Sequence, residues 1–461
     1  MITWGQLAKS QTDPEKIEEA IKRLINEHNA DPEAHLVEGG SLKSHKMSEI
    51  IDHLTRSIVA EKLQSSAQVA ECVVAPEGGD YTTIQDALNA GKKRIYIKAG
   101  TYIIPSPGIS LTSDNIELYG EDKESVILKA QGGTDQDFYV LNISAAVKGI
   151  VLKSLTIDAN KDEQSGEEPS VGGILISGAV TDLLITDCKI LNTASASGIY
   201  IASSGANNVK IINNFFDGIT SYSGISNSAS ENLFTDNIFQ NSYGGITSLG
   251  NDNIISNNLV KNCTFGIYLQ GDRNLVLGNL CKSNSRVGIN VSSGKHQLVV
   301  GNKCYLNGST YKEPGIDIGS KVSDCSVVGN VCVGNYGPGI MTYASYRCTI
   351  IGNICALNGR EGIRIRGSQF LTISGNSLYK NSQESPGTYS ALLLDTVSTY
   401  YSRYNVISSN TIDATDSPYG IREADTNCNW NIYLGNVVRN ASTANISTQG
   451  TNNDVAHNMT P

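Results

Sequence analysis

The chain has 461 residues, a net charge of −10, only 17% charged residues and 45 glycines. A balance rich in Gly, Asn, Ser and Thr disfavours helix, excludes a mostly helical protein and suits many short strands joined by tight turns. The acidic charge excludes the basic face of a nucleic-acid binder, and no apolar run approaches the ~18–20 residues of a membrane span, so neither nucleic acid nor membrane is an expected partner.

The N-terminus has no basic segment followed by an apolar one, so no signal peptide is expected. Residues 1–70 read as a small helical arm. Asp13 suits an N-cap with Pro14 at the first helical position, and Glu15, Glu18 and Glu19 complement the opening turns. Ile17, Ile21, Leu24 and His28 form a coiled-coil seam of about two heptads, too short to stand alone. A second helical stretch runs through Met47, Ile50, Ile51, Leu54, Ile58 and Val59. A seam without a partner in its own chain predicts self-association. The arm's histidines, His28, His35, His45 and His53, match no compact ligand motif, so capping or packing is their expected role. No metal or other cofactor is expected.

Residues 71–461 read as one β domain dominated by an internal repeat. Gly-Ile pairs recur from Gly173-Ile174 through Gly198-Ile199, Gly288-Ile289 and Gly362-Ile363 to Gly420-Ile421, mostly 21 to 27 residues apart. An Asn followed two positions later by an apolar residue repeats in phase, from Asn213 and Asn237 to Asn436 and Asn458. This period, with two or three short strands in each repeat, predicts the coils of a right-handed parallel β-helix, an all-β fold in which equivalent residues stack as ladders about 4.8 Å apart. Buried Asn at a turn then bonds the backbone or amide of the next coil. Cys281, Cys304, Cys332 and Cys355, each two residues after such an Asn, read as small apolar core residues with free thiols. The acidic loop from Asp158 to Glu168 has no fixed ligand spacing and reads as solvated rather than as a calcium site.

The segment Gly79-Asp80-Tyr81-Thr82-Thr83-Ile84-Gln85-Asp86-Ala87-Leu88-Asn89-Ala90 resembles the cap that opens pectate-lyase-like β-helices, phage tailspikes among them. Arg94-Ile95-Tyr96-Ile97-Lys98-Ala99-Gly100-Thr101-Tyr102 resembles the first strand and turn of that superfamily. In the arm, His28-Asn29-Ala30-Asp31-Pro32-Glu33-Ala34-His35 is similar to segments of phage tail-fibre proteins. The resemblance implies a homotrimeric tailspike-like or fibre-like protein of a virion tail, made in the host cytoplasm. Its arm would meet a tail or baseplate protein and its β-helix a cell-surface polysaccharide. No catalytic residue carries over, because the motifs of polygalacturonases, mannuronan epimerases and pectin methylesterases are absent. A structural tail protein or adhesin that only binds, and a cellular polysaccharide lyase or epimerase, are the alternatives.

Site residues follow from the repeat. If each Ile of a Gly-Ile strand points inward, the next residue points outward. Stacking gives one outward column, Leu175, Tyr200, Ser226, Thr247, Tyr268, Asn290, Asp317, Met341, Arg364 and Arg422, and a second containing Gln270, Tyr343, Arg366 and Asp395. Glu313 and Glu361 lie at the strand starts beside them. Carboxylates at Asp317, Glu313 and Glu361 are candidate acid, base or nucleophile of a lyase or glycoside hydrolase. Tyr268, Asn290, Tyr343, Arg364, Arg366 and Asp395 are candidate sugar contacts, the arginines as bidentate clamps and the rings as apolar faces. Two long coils, one inserting Gly308–Pro314 and one spanning Asn376 to Asn410 with Tyr389, Tyr400, Tyr401 and Tyr404, are expected to wall a groove or meet another chain.

Overall fold

The computed structural model describes residues 70–460 except 134–135 and 165–169. The expected helical arm, with its seam and histidines, lies outside these residues. What is described is a right-handed parallel β-helix. Each coil places one strand in each of three parallel sheets: sheet A of 16 strands, from Cys72–Val74 to Asp454–Ala456, and sheets B and C of 14 strands each. Sheet B begins at Gly100–Ile104 and sheet C at Ile109–Ser110. The helix Ile84–Asn89 lies between the first two strands of sheet A in the chain; Thr83 Oγ1 accepts from the Asp86 amide, and Ile84 and Ala87 are buried.

Most strands are three to five residues long and alternate inward and outward, as the period of two requires. In sheet C the register runs Ile289, Ile316, Ile340, Ile363 and Leu392 inside, with Asn290, Asp317, Met341, Arg364 and Leu393 outside. The glycine before each Ile answers to a close approach. A Cβ on Gly339 would sit 2.7 Å from the Gly362 carbonyl oxygen and 2.8 Å from the Asn358 amide nitrogen. One coil tolerates Ala391 and Leu392 at this place, which hides it from a Gly-Ile count and inserts Leu393 into the outward column between Arg364 and Arg422.

Asparagine ladders line all three corners, where the sequence pattern shows one. At the A-to-B corner Asn214, rather than Asn213, is the first rung; Asn213 has a φ of 58° and turns the chain. Further ladders run through Asn284, Asn307, Asn335, Asn358 and Asn381 between sheets B and C, and through Asn232, Asn253 and Asn274 between C and A. Each rung joins three coils. Asn330 Oδ1 accepts from the Asn302 backbone at 2.8 Å and side chain at 3.0 Å and its Nδ2 donates to the Val299 carbonyl at 2.9 Å, all in the coil before. Its backbone N–H and Nδ2 donate to Asn353 Oδ1 in the coil after at 2.9 and 3.0 Å. Asn330→Ala would leave a buried amide and carbonyl unbonded, and is expected to cost about 3 kcal/mol in urea unfolding. An unchanged midpoint would assign the ladder a smaller role.

Cys281, Cys304, Cys332 and Cys355 stack on consecutive strands of sheet B, fully enclosed, and all ten cysteines are unpaired and buried. The Cys304 thiol and burial push Cys281 well above its ordinary range, and Cys304 is pushed up in turn, against the opposing pull of Cys281, by the Cys332 thiol and burial. Thiol reagents are therefore expected to label the native protein at none of the four, and to label all of them in denaturant.

Candidate functional site

Because neighbouring coils lie about 4.8 Å apart, the outward face of sheet C is a set of straight columns. One runs Tyr268, Asn290, Asp317, Met341, Arg364, Leu393 and Arg422; the next contains Tyr343, Arg366 and Asp395. The candidate sugar contacts and Asp317 therefore share one face, with Glu313 and Glu361 at the corner leading into it.

Asp317 is held between two buried isoleucines, Ile316 and Ile318. Asn290 Nδ2 donates to its Oδ2 at 3.3 Å, and its Oδ1 is shielded from water without a partner. Burial, with a smaller contribution from the charge of Glu313, pushes the carboxyl up to about 7. Near neutral pH it can therefore hold or release a proton. Asn290 Oδ1 is likewise shielded and unbonded.

Glu313 is fully engaged. Arg286 donates to both of its oxygens at 2.5–3.1 Å, and the Val287 amide donates to Oε2 at 3.0 Å. The Arg286 guanidinium lies against Phe265 at 4.5 Å and Tyr311 at 5.2 Å, pinning the inserted loop. Glu361 is only 2% exposed. Burial pushes its carboxyl up against the pull of Arg364, whose Nη1 lies 4.0 Å away, and its Oε2 has no partner.

Arg364 lies in the same column as Asp317, two coils on, but pairs elsewhere. Arg364 Nη2 donates to Asp395 Oδ2 at 2.5 Å, one coil on and away from Asp317. Arg366 Nε lies 3.9 Å from the same oxygen, its guanidinium 5.7 Å from the Tyr343 ring. The Tyr268 hydroxyl accepts from Gln270 Nε2 at 2.8 Å. Of the ten shielded side-chain polar atoms without a partner among the described residues, six lie on this face or its rim: on Asn290, Asp317, Glu361, Arg364, Arg366 and Asp395.

The two insertions meet on the B-to-C side of the face. Glu384 of the second binds Lys312 of the first at 3.5 Å and Arg360 at 2.9 Å, and Arg360 lies over Tyr389 at 5.4 Å. The tyrosines of the second long coil part company. Tyr404 stacks between Phe370 and Trp430 at 4.9 and 5.4 Å, so both of its faces are taken, and Tyr401 lies under Arg403. The sequence reading missed Tyr139 and Tyr222 at the N-terminal end of sheet C. Gly172 makes room for the Tyr139 ring, where a Cβ would come within 2.1 Å, and burial pushes that phenol up to about 12. A glycine ahead of a Gly-Ile pair was the available signal.

Residues 197–353 match the family model described as a right-handed β-helix region, and residues 307–460 match the one described as periplasmic copper-binding protein (NosD). The described residues do not fit a copper centre. No group of three His, Cys, Asp or Glu is placed to hold a metal, and the cysteines are enclosed in the core. No curated protein sequence matches the chain. Among solved structures, the tailspike of E. coli bacteriophage HK620 in complex with a pentasaccharide is 12% identical, with a TM-score of 0.55 over 93% of this chain and 86% of its own. PfbA, a surface adhesin of Streptococcus pneumoniae, is 17% identical, with a TM-score of 0.52 over 68% and 89%. The A-module of mannuronan C-5 epimerase AlgE6 from Azotobacter vinelandii is 15% identical, with a TM-score of 0.46 over 82% and 93%. The likeness to the tailspike and to the adhesin is one of fold, a right-handed parallel β-helix.

Proposed function

We propose that the face of sheet C between Tyr268 and Asp395 binds a cell-surface polysaccharide and that Asp317 donates a proton there to a glycosidic oxygen, in a homotrimeric, tail-associated phage protein. The observation that carries this reading is the concentration on one face of six of the ten unbonded, shielded polar atoms of the described residues, in a fold whose asparagine ladders are bonded rung to rung. Each such atom costs about 1–3 kcal/mol unless something bonds it, and sugar hydroxyls, which both donate and accept, suit a mixture of unpaired carboxyl oxygens and guanidinium N–H groups.

Within this reading Asn290, Tyr268, Tyr343 and Arg366 contact the sugar. Arg364 is oriented by Asp395 and Glu361, which supply the second carboxylate that glycoside hydrolysis needs. Glu313 acts through Asp317, by adding negative charge beside it. The main cations of the face and its wall are matched by acids, Arg286 by Glu313, Arg360 and Lys312 by Glu384, and Arg364 by Asp395, which favours a neutral, hydroxyl-rich glycan. The trimer and the attachment through the arm rest on the sequence resemblance together with the tailspike-like fold.

The test is a panel of neutral and anionic surface polysaccharides, scored for binding, for new reducing ends and for the absorbance of unsaturated sugars. New reducing ends without an unsaturated product support the reading. Unsaturated products would make the protein a lyase, binding without cleavage an adhesin, and no binding to any glycan would remove the site.

A further inference from the structure

We infer that the outward face of sheet A between Leu233 and Leu434 is covered by a second copy of this chain; the inference rests on the proposed homotrimer and names the surface that would build it. Nine successive strands, from Leu233–Thr235 to Ile432–Leu434, place their middle residue in the core and their first residue outside; the third is outside too in all but the first two, where Thr235 and Ser256 are buried. None of those outward residues is charged. The run is bounded by Lys210 in the coil before it and Asp454 in the coil after it. Over the same coils sheet B shows Lys261, Lys282 and Lys303, and sheet C shows Asp317 and Arg364.

The face is apolar as well as uncharged. Leu298 is 44% exposed, Ile351 38% and Leu434 41%. Most of its hydroxyls are paired along the columns: Ser256 bonds Thr235 at 2.9 Å, Thr349 bonds Ser326 at 3.0 Å and Ser408 bonds Ser374 at 3.2 Å. The ridge on its B side is formed by Gly301, Gly329 and Gly352 at φ of 63–65°, with open space where a Cβ would stand. Asp236, Asn257 and Ser409 take the equivalent positive-φ places nearer the ends of the face.

Three arguments select a second copy as the occupant. Eight intervals of ~4.8 Å by roughly 15 Å of strand and ridge give about 600 Å² of projected face, the order of the ~800 Å² per partner that a stable complex buries and at the top of the ~300–600 Å² range of the largest apolar patch on a monomer. Two copies of a chain with net charge −10 repel except where they meet through an uncharged surface, and this is the long face that offers one. The 4.8 Å column repeat of one copy also matches that of another lying alongside it.

The experiment uses the full chain. Light scattering of the parent should give a multiple of the 49.2 kDa chain mass. Leu298→Lys with Ile351→Lys should weaken self-association at least tenfold. Leu298→Cys, a milder change, should give covalent dimers with a short bis-maleimide, whereas Lys282→Cys on sheet B should not. A parent oligomer whose mass survives the double lysine variant, with no dimer from Leu298→Cys, would overturn this inference and leave the trimer standing on other contacts. A cross-link within one chain would assign the face to the chain's own segment and overturn it too. A monomeric parent would remove both.

Discussion

Asp317→Asn is expected to leave stability unchanged near pH 4 and to raise it near pH 8, by up to about 4 kcal/mol. The carboxyl stands at about 7 in the folded chain because burial penalises its charge and Glu313 adds to the penalty. In the unfolded chain it titrates near 3.9. Below that value both states are protonated and the group costs nothing. Between about pH 4 and 7 the unfolded state gains by ionising while the folded state stays protonated, so stability falls as pH rises; above 7 the loss is complete. Three pKa units at about 1.4 kcal/mol each set the upper limit. Asparagine keeps the shape and never ionises. Urea midpoints of both proteins across this range measure the effect, and a constant difference would show that Asp317 ionises as an ordinary surface acid. On a glycan that the parent cleaves, the same variant is expected to lose turnover and retain binding, and parent activity should fall as pH rises past about 7 as the proton donor is lost.

Arg364→Ala is expected to destabilise the β-helix by about 3–5 kcal/mol, the usual cost of removing one partner of a largely buried ion pair. Arg364 and Asp395 are 20% and 13% exposed and bonded at 2.5 Å, and Glu361 behind them is also buried. Without the guanidinium Asp395 keeps only Arg366, 3.9 Å from its Oδ2, and the buried Glu361 loses the cation beside it. The double change Arg364→Met with Asp395→Leu should recover most of the loss, because an apolar pair of similar volume avoids the desolvation cost of both charges. Additive single effects in this cycle would break the coupling read from the geometry. Glycan affinity is expected to fall in the double variant even where stability returns, since the face then lacks both polar groups.

The amino-acid sequence by itself determined the β-helix, its strand periodicity and its outward columns, because each depends on contacts between equivalent positions of consecutive repeats. A Gly-Ile pair declares its register, since a Cβ on that glycine would strike the next coil's carbonyl, and an inward Ile makes its neighbour face outward. That is why Asp317, Met341 and Arg364 could be placed in line before any coordinate was known. The uncharged face of sheet A was legible on the same terms, in the short apolar and hydroxyl strands that precede each ladder asparagine. Only the tertiary structure decided which charges meet. Arg364 turns to Asp395, 31 residues on in a coil lengthened by an insertion, and Lys312 reaches Glu384 from a different loop. Arg286 takes both oxygens of Glu313, so that acid no longer stands beside Asp317 as a free group. Long side chains choose partners across columns and loops of unequal length, and the repeat specifies neither. The isolation of Asp317 follows from those choices made around it, with asparagine on one side and methionine on the other.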